Sequence, residues 1–355
     1  MGAVTTIRGV NETLAPTWNY LRTNDIEVRV PAELAVAAAP APLERIPGGM
    51  GPEASDWLAR AATTTDEVVV TSGVTPEAPV EITVEPGTGA VDDTLVTVCH
   101  DAEVTVVVCA RTDEDAQATV GSRLRLDLGE RARAHVFVYG AVSDASQFLC
   151  DMGVSLADDA AVDVRTFLLG GGLSAVGLRT ENVGFRSRVT VDTRYVGMGD
   201  SVIDLSYDLR LRGRKSEARL DAYGILADRA SKTLRDVIDL KRGCKGAEGN
   251  ENETVLLAGK DVVNKSLPVI LCDEDDVVGN HGATIGSISD EQFAYLRSRG
   301  LDEQDCKALF SRAVLDAAVV GAPTAVSREA ALGVARRTLG EDAARDIQDL
   351  VREGE

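Results

Sequence analysis

The sequence predicts a mainly β fold: a core of stacked strand coils, an irregular and partly helical segment before it, and a helical domain after it. Two observations carry this expectation. From about residue 65 to 288, short β-branched segments alternate apolar and polar residues, the period-two pattern of half-buried strands. These segments recur at roughly ten-residue intervals, broken by Gly, Asn and Asp, with no convincing helix between them. A sandwich, a barrel and a solenoid all fit that rhythm. The scarcity of Asn-Gly and Asp-Gly hairpin signals, and the length over which the rhythm persists, favour the solenoid. Stacked coils bury their core only against each other, so capping elements are expected at both ends, and the helical flanks are available to supply them.

Three regions follow in order. In residues 1–64, Pro31, Pro40, Pro42, Pro47 and Gly48-Gly49 separate two short candidate helices. One lies near Trp18 to Leu21. The other starts at about Ser55, a plausible N-cap, and places Trp57, Leu58 and Ala61 on one face. Residues 65–288 hold the strand segments, among them Val104–Val108, Arg123–Leu128, His135–Tyr139, Val189–Thr193 and Glu217–Asp221. In residues 289–355 the period changes to 3.6. Ser289 and Gln292 form a capping box, and a helix through Phe293 and Leu296 should stop at Gly300. A second helix carries Cys306, Leu309, Phe310, Ala313, Val314 and Ala317 as one apolar stripe. A third should start at Ser327 and end near Gly340, and Ile347, Leu350 and Val351 mark a fourth.

Composition narrows the function. The 37 basic and 57 acidic residues give a net charge of −20, which repels a phosphate backbone, so no nucleic-acid partner is expected. No run of eighteen apolar residues and no leader-like start occur, so a cytoplasmic protein without membrane association is expected. The 6 cysteines are scattered without a CxxC pair, which fits a reducing compartment, with most of them acting as small core hydrophobes.

Few groups are available for chemistry. There are 3 histidines. His135 alternates with Phe137 and Tyr139, as a stacked or surface residue on a strand would. His100 follows Cys99, a pair that needs two further ligands before it holds a metal. Gly170-Gly171-Gly172 ends a strand without opening a helix, so a turn is preferred over a phosphate loop. Neither a GxSxG elbow nor a Walker segment is present, and no enzymatic activity is expected. Asp273-Glu274-Asp275-Asp276 offers carboxylates to a hard cation, but consecutive strand residues diverge, so a solvated turn is the better reading.

From Arg242 to Leu315 the sequence resembles a known family. Pro268 and its strand are followed by Asp275-Asp276-Val277, then Asn280-His281-Gly282-Ala283-Thr284-Ile285-Gly286, then Phe293-Ala-Tyr-Leu-Arg-Ser-Arg-Gly300. This order resembles the C-terminal part of the SufB/SufD family of iron–sulfur cluster assembly scaffolds. Weaker similarity reaches back through Gly177–Val183, and Thr17-Trp18-Asn19 is similar to the family's opening. The resemblance implies a right-handed parallel β-helix flanked by helical regions. It also implies pairing of SufD with SufB, docking of the SufC ATPase on the C-terminal helices, and an interface where a cluster is assembled.

The glycine at 282, where SufB-like chains carry glutamate, makes this chain SufD-like by resemblance. Asn280, His281 and Gly282 are then implied at the subunit interface, with His281 handling iron or a cluster transiently. Neutral imidazole suits borderline metal ions. Two departures limit the carry-over: Gly279 stands where many SufD chains have cysteine, and Asn252-Glu253-Thr254 occupies the place of SufB's cluster-associated cysteine. Cys244 and Cys272 are the nearby thiols that could substitute. Phe293, Tyr295, Leu296, Leu309 and Phe310 are expected to dock the ATPase through aromatic anchors; the other reading is a helical cap over the last coil, and both can hold on opposite faces. Two other readings are self-association as both halves of the scaffold and a carbohydrate-active β-helix enzyme using paired carboxylates. The 4% aromatic content speaks against sugar stacking.

Overall fold

The computed structural model describes residues 4–13, 21–24, 26–32, 46–87, 90–287 and 290–354. The candidate helix around Trp18, the Thr17–Asn19 segment and Ser289 of the capping box lie outside them. Strands β1 (Val4–Ile7) and β2 (Val28–Pro31) pair antiparallel, and helix α1 (Pro52–Ala61) follows. The next sixteen strands alternate between two parallel sheets. The first sheet holds β3 (Thr64–Val70), β5 (Val91–Val98), β7 (Thr119–Leu128), β9 (Gln147–Leu156), β11 (Leu173–Asn182), β13 (Val202–Leu211), β15 (Ser231–Leu240) and β17 (Val263–Cys272). The second holds β4 (Val80–Val84), β6 (Glu103–Arg111), β8 (Arg133–Ala141), β10 (Ala161–Leu168), β12 (Arg188–Gly197), β14 (Glu217–Ala227), β16 (Glu248–Ala258) and β18 (Val278–Ser287). Helices α2 (Asp290–Ser298), α3 (Glu303–Val320), α4 (Ala325–Leu339) and α5 (Glu341–Gly354) complete the chain.

This is a parallel β-solenoid of about 8 turns. All five strand segments expected from alternation fall within strands, and Gly170–Gly172 forms the turn between β10 and β11. The spacing differs from the expected ten residues: β12, β13, β14 and β15 start at 188, 202, 217 and 231, so 14 or 15 residues separate successive strands. A full strand and its turn are longer than the alternating centre that the sequence advertises.

Parallel pairing without register slip stacks equivalent residues into columns inside the lumen. One runs Leu124–Met152–Leu178–Tyr207, and the facing sheet contributes Val136–Val164–Val191–Leu220, all fully or almost fully buried. Each such Leu contributes roughly 1.5–3 kcal/mol through burial. One turn is also stacked. Asp101, Arg131, Asp159, Arg186 and Lys215 all adopt left-handed conformations with φ between 53° and 57°, and Gly246 closes the column at 74°. Arg131 pairs with Asp101 and Arg186 with Asp159, each at 2.6 Å, so alternating charges run along that column.

Among the described residues, the flanks pack on the sides of the solenoid and not over its ends. Met50, Trp57 and Leu58 join Leu149 and Ala175 on the outer face of the first sheet. Close approach there demands glycine: a Cβ on Gly177 would lie 2.4 Å from the Met50 nitrogen. Helix α1 begins at Pro52 after Gly51, so Ser55 is an interior residue and not the N-cap; its hydroxyl instead accepts from Arg125 Nη2 at 3.0 Å. Proline suits a first helical turn because its missing N–H has no partner there anyway.

Helices α3–α5 cover the outer face of the second sheet, burying Tyr139, Phe167, Val196 and Ile225 under Leu315, Ala318, Val319, Leu332 and Ile347. The Tyr139 hydroxyl donates to the Ala318 carbonyl at 3.1 Å. The buried stripe of α3 is Cys306, Ser311, Val314, Leu315, Ala318 and Val319, rotated from the expected one, with Leu309 and Ala313 turned to solvent. Thr324, not Ser327, caps α4, with Ser327 completing the box from the third position. The helix stops at Gly340 as expected, at φ 88°. The idea of an end cap over the last coil is thereby corrected: the Ala-rich α3 and α4 lie flat against the sheet because small side chains allow close approach.

Candidate functional site at the open end

Among the described residues, no further strand lies beside the last coil, β17 and β18. Its residues are half-buried or exposed along most of both strands, whereas every earlier coil from β5 onward is largely buried. Two neighbouring sheets therefore end in free strand edges, which present unpaired backbone donors and acceptors to a partner.

His281 lies on β18 in register with Glu251 of β16 and is exposed. It continues the column Val191–Leu220–Glu251 and so has the inward parity of the lumen, at the mouth. Asn280, one residue earlier, faces outward and donates to Asn250 Oδ1 at 2.9 Å. The Gly282 N–H donates to the Glu251 carboxylate. A Cβ at Gly282 would meet Asn252 Oδ1 at 3.5 Å, ordinary contact, so the backbone does not require glycine there.

Behind His281 the lumen changes character. Lys232, Asp236, Glu251 and Glu253 are buried at inward positions; Asp236 follows Leu178 and Tyr207 in its column and Glu251 follows Val191 and Leu220, whereas the columns of Lys232 and Glu253 already carry Ser174 and Thr193. Lys232 forms an ion pair with Glu253 and donates to Ser266 at 3.0 Å, while the Tyr195 hydroxyl donates to Glu253 at 3.3 Å. Burial lowers the Lys232 pKa, opposed by Glu253. Burial also drives Asp236 well upward, reinforced by Glu251 and Glu253. For Glu251, burial and then the Glu253 charge lift the carboxyl from 4.5 to about 7. Lys232, Asp236 and Glu251 escaped the sequence reading, and Glu253 entered it only as an occupant of the place of a cysteine. The available signal was parity: Lys232, Leu234, Asp236, Ile238 and Leu240 share one strand face.

The thiols are placed separately. Cys272 is exposed at the end of β17 and donates to the Glu274 carbonyl at 3.2 Å. Cys244 is buried in the turn before β16, and burial raises its pKa. Cys109 is buried, its thiol pushed up to about 12, which keeps it protonated and inert. The run Asp273–Asp276 forms the turn between β17 and β18, where Glu274 accepts from the Gly243 N–H at 2.9 Å. His135 sits on the outer face between Glu103 at 3.3 Å and Asp163 at 3.2 Å. Among the described residues, no three His, Cys, Asp or Glu side chains converge as a metal-binding group.

Of the expected docking residues, Tyr295 is 57% and Leu309 51% exposed, and Arg299 stacks over the Tyr295 ring. Leu296 is half-buried, and the Phe293 side chain lies outside the described residues. Phe310 and Val314 line an apolar crevice of about 250 Å³ with Tyr223, Thr284 and Gly286, so the helices and the last coil share one continuous surface. No described helix is long and apolar enough to cross a membrane.

Comparison with known proteins bears on this site. The profile described as SUF system FeS cluster assembly, SufBD core domain, matches residues 81–314. The iron–sulfur cluster assembly protein SufD of Escherichia coli is 26% identical over 208 residues, covering 59% of this chain and 49% of the relative. SufD of Bacillus subtilis is 25% identical over 175 residues, covering 48% and 40%. A SufBD family protein of Methanothermobacter thermautotrophicus is 26% identical over 146 residues, covering 41% and 35%. The match thus spans about half or less of each relative's length. With the β-solenoid beneath it and the family profile across most of that solenoid, the chain belongs to the SufB/SufD family of the SUF iron–sulfur cluster assembly system and is SufD-like.

Proposed function

We propose that this chain is a non-enzymatic scaffold subunit of a SUF iron–sulfur assembly complex in a reducing cytoplasm. It pairs with a SufB-like paralogue through the free edges of β17 and β18 and docks a SufC-like ABC ATPase on its C-terminal helices. The observation that carries this reading is the uncovered last coil within the family-matched region, with His281 at its mouth. A partner strand added to either edge would satisfy the unpaired backbone groups and bury the inward-facing imidazole against the second subunit. There His281 would meet iron or a nascent cluster as transient cargo, its neutral ring a suitable ligand. In this reading the partner supplies the remaining ligands around His281.

Tyr295, Leu309 and Phe310 supply the ATPase surface. They are contiguous with the last coil through the Phe310 crevice, so movement of the helices would be felt at the edge strands. Co-expression with a SufB-like chain and the ATPase, followed by size-exclusion chromatography, tests the reading. The expected result is a stable complex containing all three, lost when a proline placed on β18 blocks edge pairing. A chain that stays alone in every combination refutes it, and a pure homodimer through the same edge would replace SufB by a second copy.

A further inference from the structure

Beneath the proposed interface lies a group of side chains for which the scaffold role gives no use. Asp236 is 2% exposed, and neither of its carboxylate oxygens meets a donor. Glu251 Oε2, Glu253 Oε2 and Asn264 Oδ1 are equally without a hydrogen-bond donor. Three buried carboxylates face one ammonium, Lys232, which is committed to Glu253 and Ser266. Fully ionised, the group carries two uncompensated negative charges, an arrangement too costly to persist in a buried setting without a counter-charge. Asp236 comes from one sheet and Glu251 from the other, and the two side chains approach within hydrogen-bonding range of each other.

We propose that the lumen mouth binds one hard divalent cation between Asp236 and Glu251, with water completing its shell. Two carboxylates and water form a donor set that oxygen-loving divalent ions accept, and such ions need no third acidic ligand. A +2 charge matches the −2 left after Lys232 is counted. Entry is from the open end, where Asn264 and Ser266 are half-buried and His281 is exposed. His281 flanks the site in register with Glu251, but the proposed ligands are the two carboxylates, and these are present in the isolated chain, so binding does not depend on assembly with any partner. The competing occupant is a proton shared by Asp236 and Glu251.

Titration of the full chain with Mn²⁺ at neutral pH and physiological ionic strength, read by electron paramagnetic resonance of free Mn²⁺, separates the two. The expected result is one saturable site per chain, weakened at least about tenfold by Asp236→Asn and by Glu251→Gln. Mn²⁺ should also raise the melting temperature of the native chain and leave that of Asp236→Asn unmoved. Both substitutions are isosteric, and circular dichroism checks that each variant folds. Absence of saturable binding would leave only the shared proton and overturn the proposal. So would binding that disappears in His281→Ala and survives in both carboxylate variants.

Discussion

The middle coils and the last two share one backbone ladder and differ in what fills it. In β7–β14 the inward columns carry residues such as Leu124, Met152, Leu178, Val164, Val191 and Leu220, each shielded by a neighbour above and below. In β15 and β16 the same columns continue as Asp236 and Glu251, and in β17 and β18 as Pro268 and His281. The first arrangement holds the solenoid together through apolar burial. The second gives up part of that burial for ionisable groups next to an unpartnered edge, which is where a binding function can reside without weakening the stack.

The sharpest way to probe this contrast is to make the same kind of truncation in both regions. Leu178→Ala, in the middle, should destabilise the chain by about 3–5 kcal/mol in urea unfolding, because rigid neighbours on either side leave a cavity. A loss below about 1 kcal/mol would show that the stack collapses to fill the gap. Glu253→Ala, near the mouth, should cost about 3 kcal/mol for a different reason: it removes the direct ion-pair partner of the buried Lys232. Adding Lys232→Met should restore most of that loss. If the double variant is no more stable than the single one, packing and not charge governs the mouth.

The middle of the solenoid was easier to read from sequence than its end, and the residues show why. Strands such as Val104–Val108 and His135–Tyr139 bury one face throughout and leave Thr105, His135 and Phe137 partly exposed on the other, so alternation reveals them even though Val107 and Tyr139 on that second face are buried beneath the helices. In β16, Asn250, Glu251, Asn252 and Glu253 are polar on both faces, so alternation says nothing about which two are buried. The coil period also went unread, although Gly129-Glu-Arg-Ala132, Gly184-Phe-Arg-Ser187 and Gly213-Arg-Lys-Ser216 repeat one turn, a left-handed residue followed by a small buried one. The rotated face of α3 has a plain cause: alanines at 308, 313, 317 and 318 make several helical phases equally apolar. His281 and its neighbours were legible through family resemblance, since a lone histidine on an exposed strand carries no physical signal of function.

Proton linkage distinguishes the two regions on a finer scale. Burial, followed by the Glu253 charge, lifts Glu251 from 4.5 to about 7, and Asp236 is lifted in the same direction. The folded chain therefore keeps a proton that the unfolded chain releases above pH 4.5. Folding takes up that proton, so this contribution to stability is full below pH 4.5 and is lost as pH rises toward about 7. In the presence of a chelator, stability should fall across that window by up to about 1.4 kcal/mol per pH unit beyond the background slope. The Asp236→Asn, Glu251→Gln double variant should remove the excess slope, and Leu178→Ala should leave it intact. An unchanged slope in the double variant would place the proton elsewhere.

The smallest effect on stability is expected where the chain is most exposed. Tyr295 and Leu309 have more than half of their surface in water, so truncating either to alanine removes little that folding has buried. Tyr295→Ala and Leu309→Ala should each change unfolding free energy by less than about 0.5 kcal/mol. Their effect should appear in binding, since an aromatic or aliphatic anchor held ready on a rigid helix is the kind of residue that dominates an interface. ATPase retention on immobilised chain should drop at least about tenfold for Tyr295→Ala, equivalent to roughly 1.4 kcal/mol. Retention unchanged in both variants, with stability also unchanged, would mean that α2 and the start of α3 face solvent in the assembly, and the ATPase surface would have to be sought on α4 and α5.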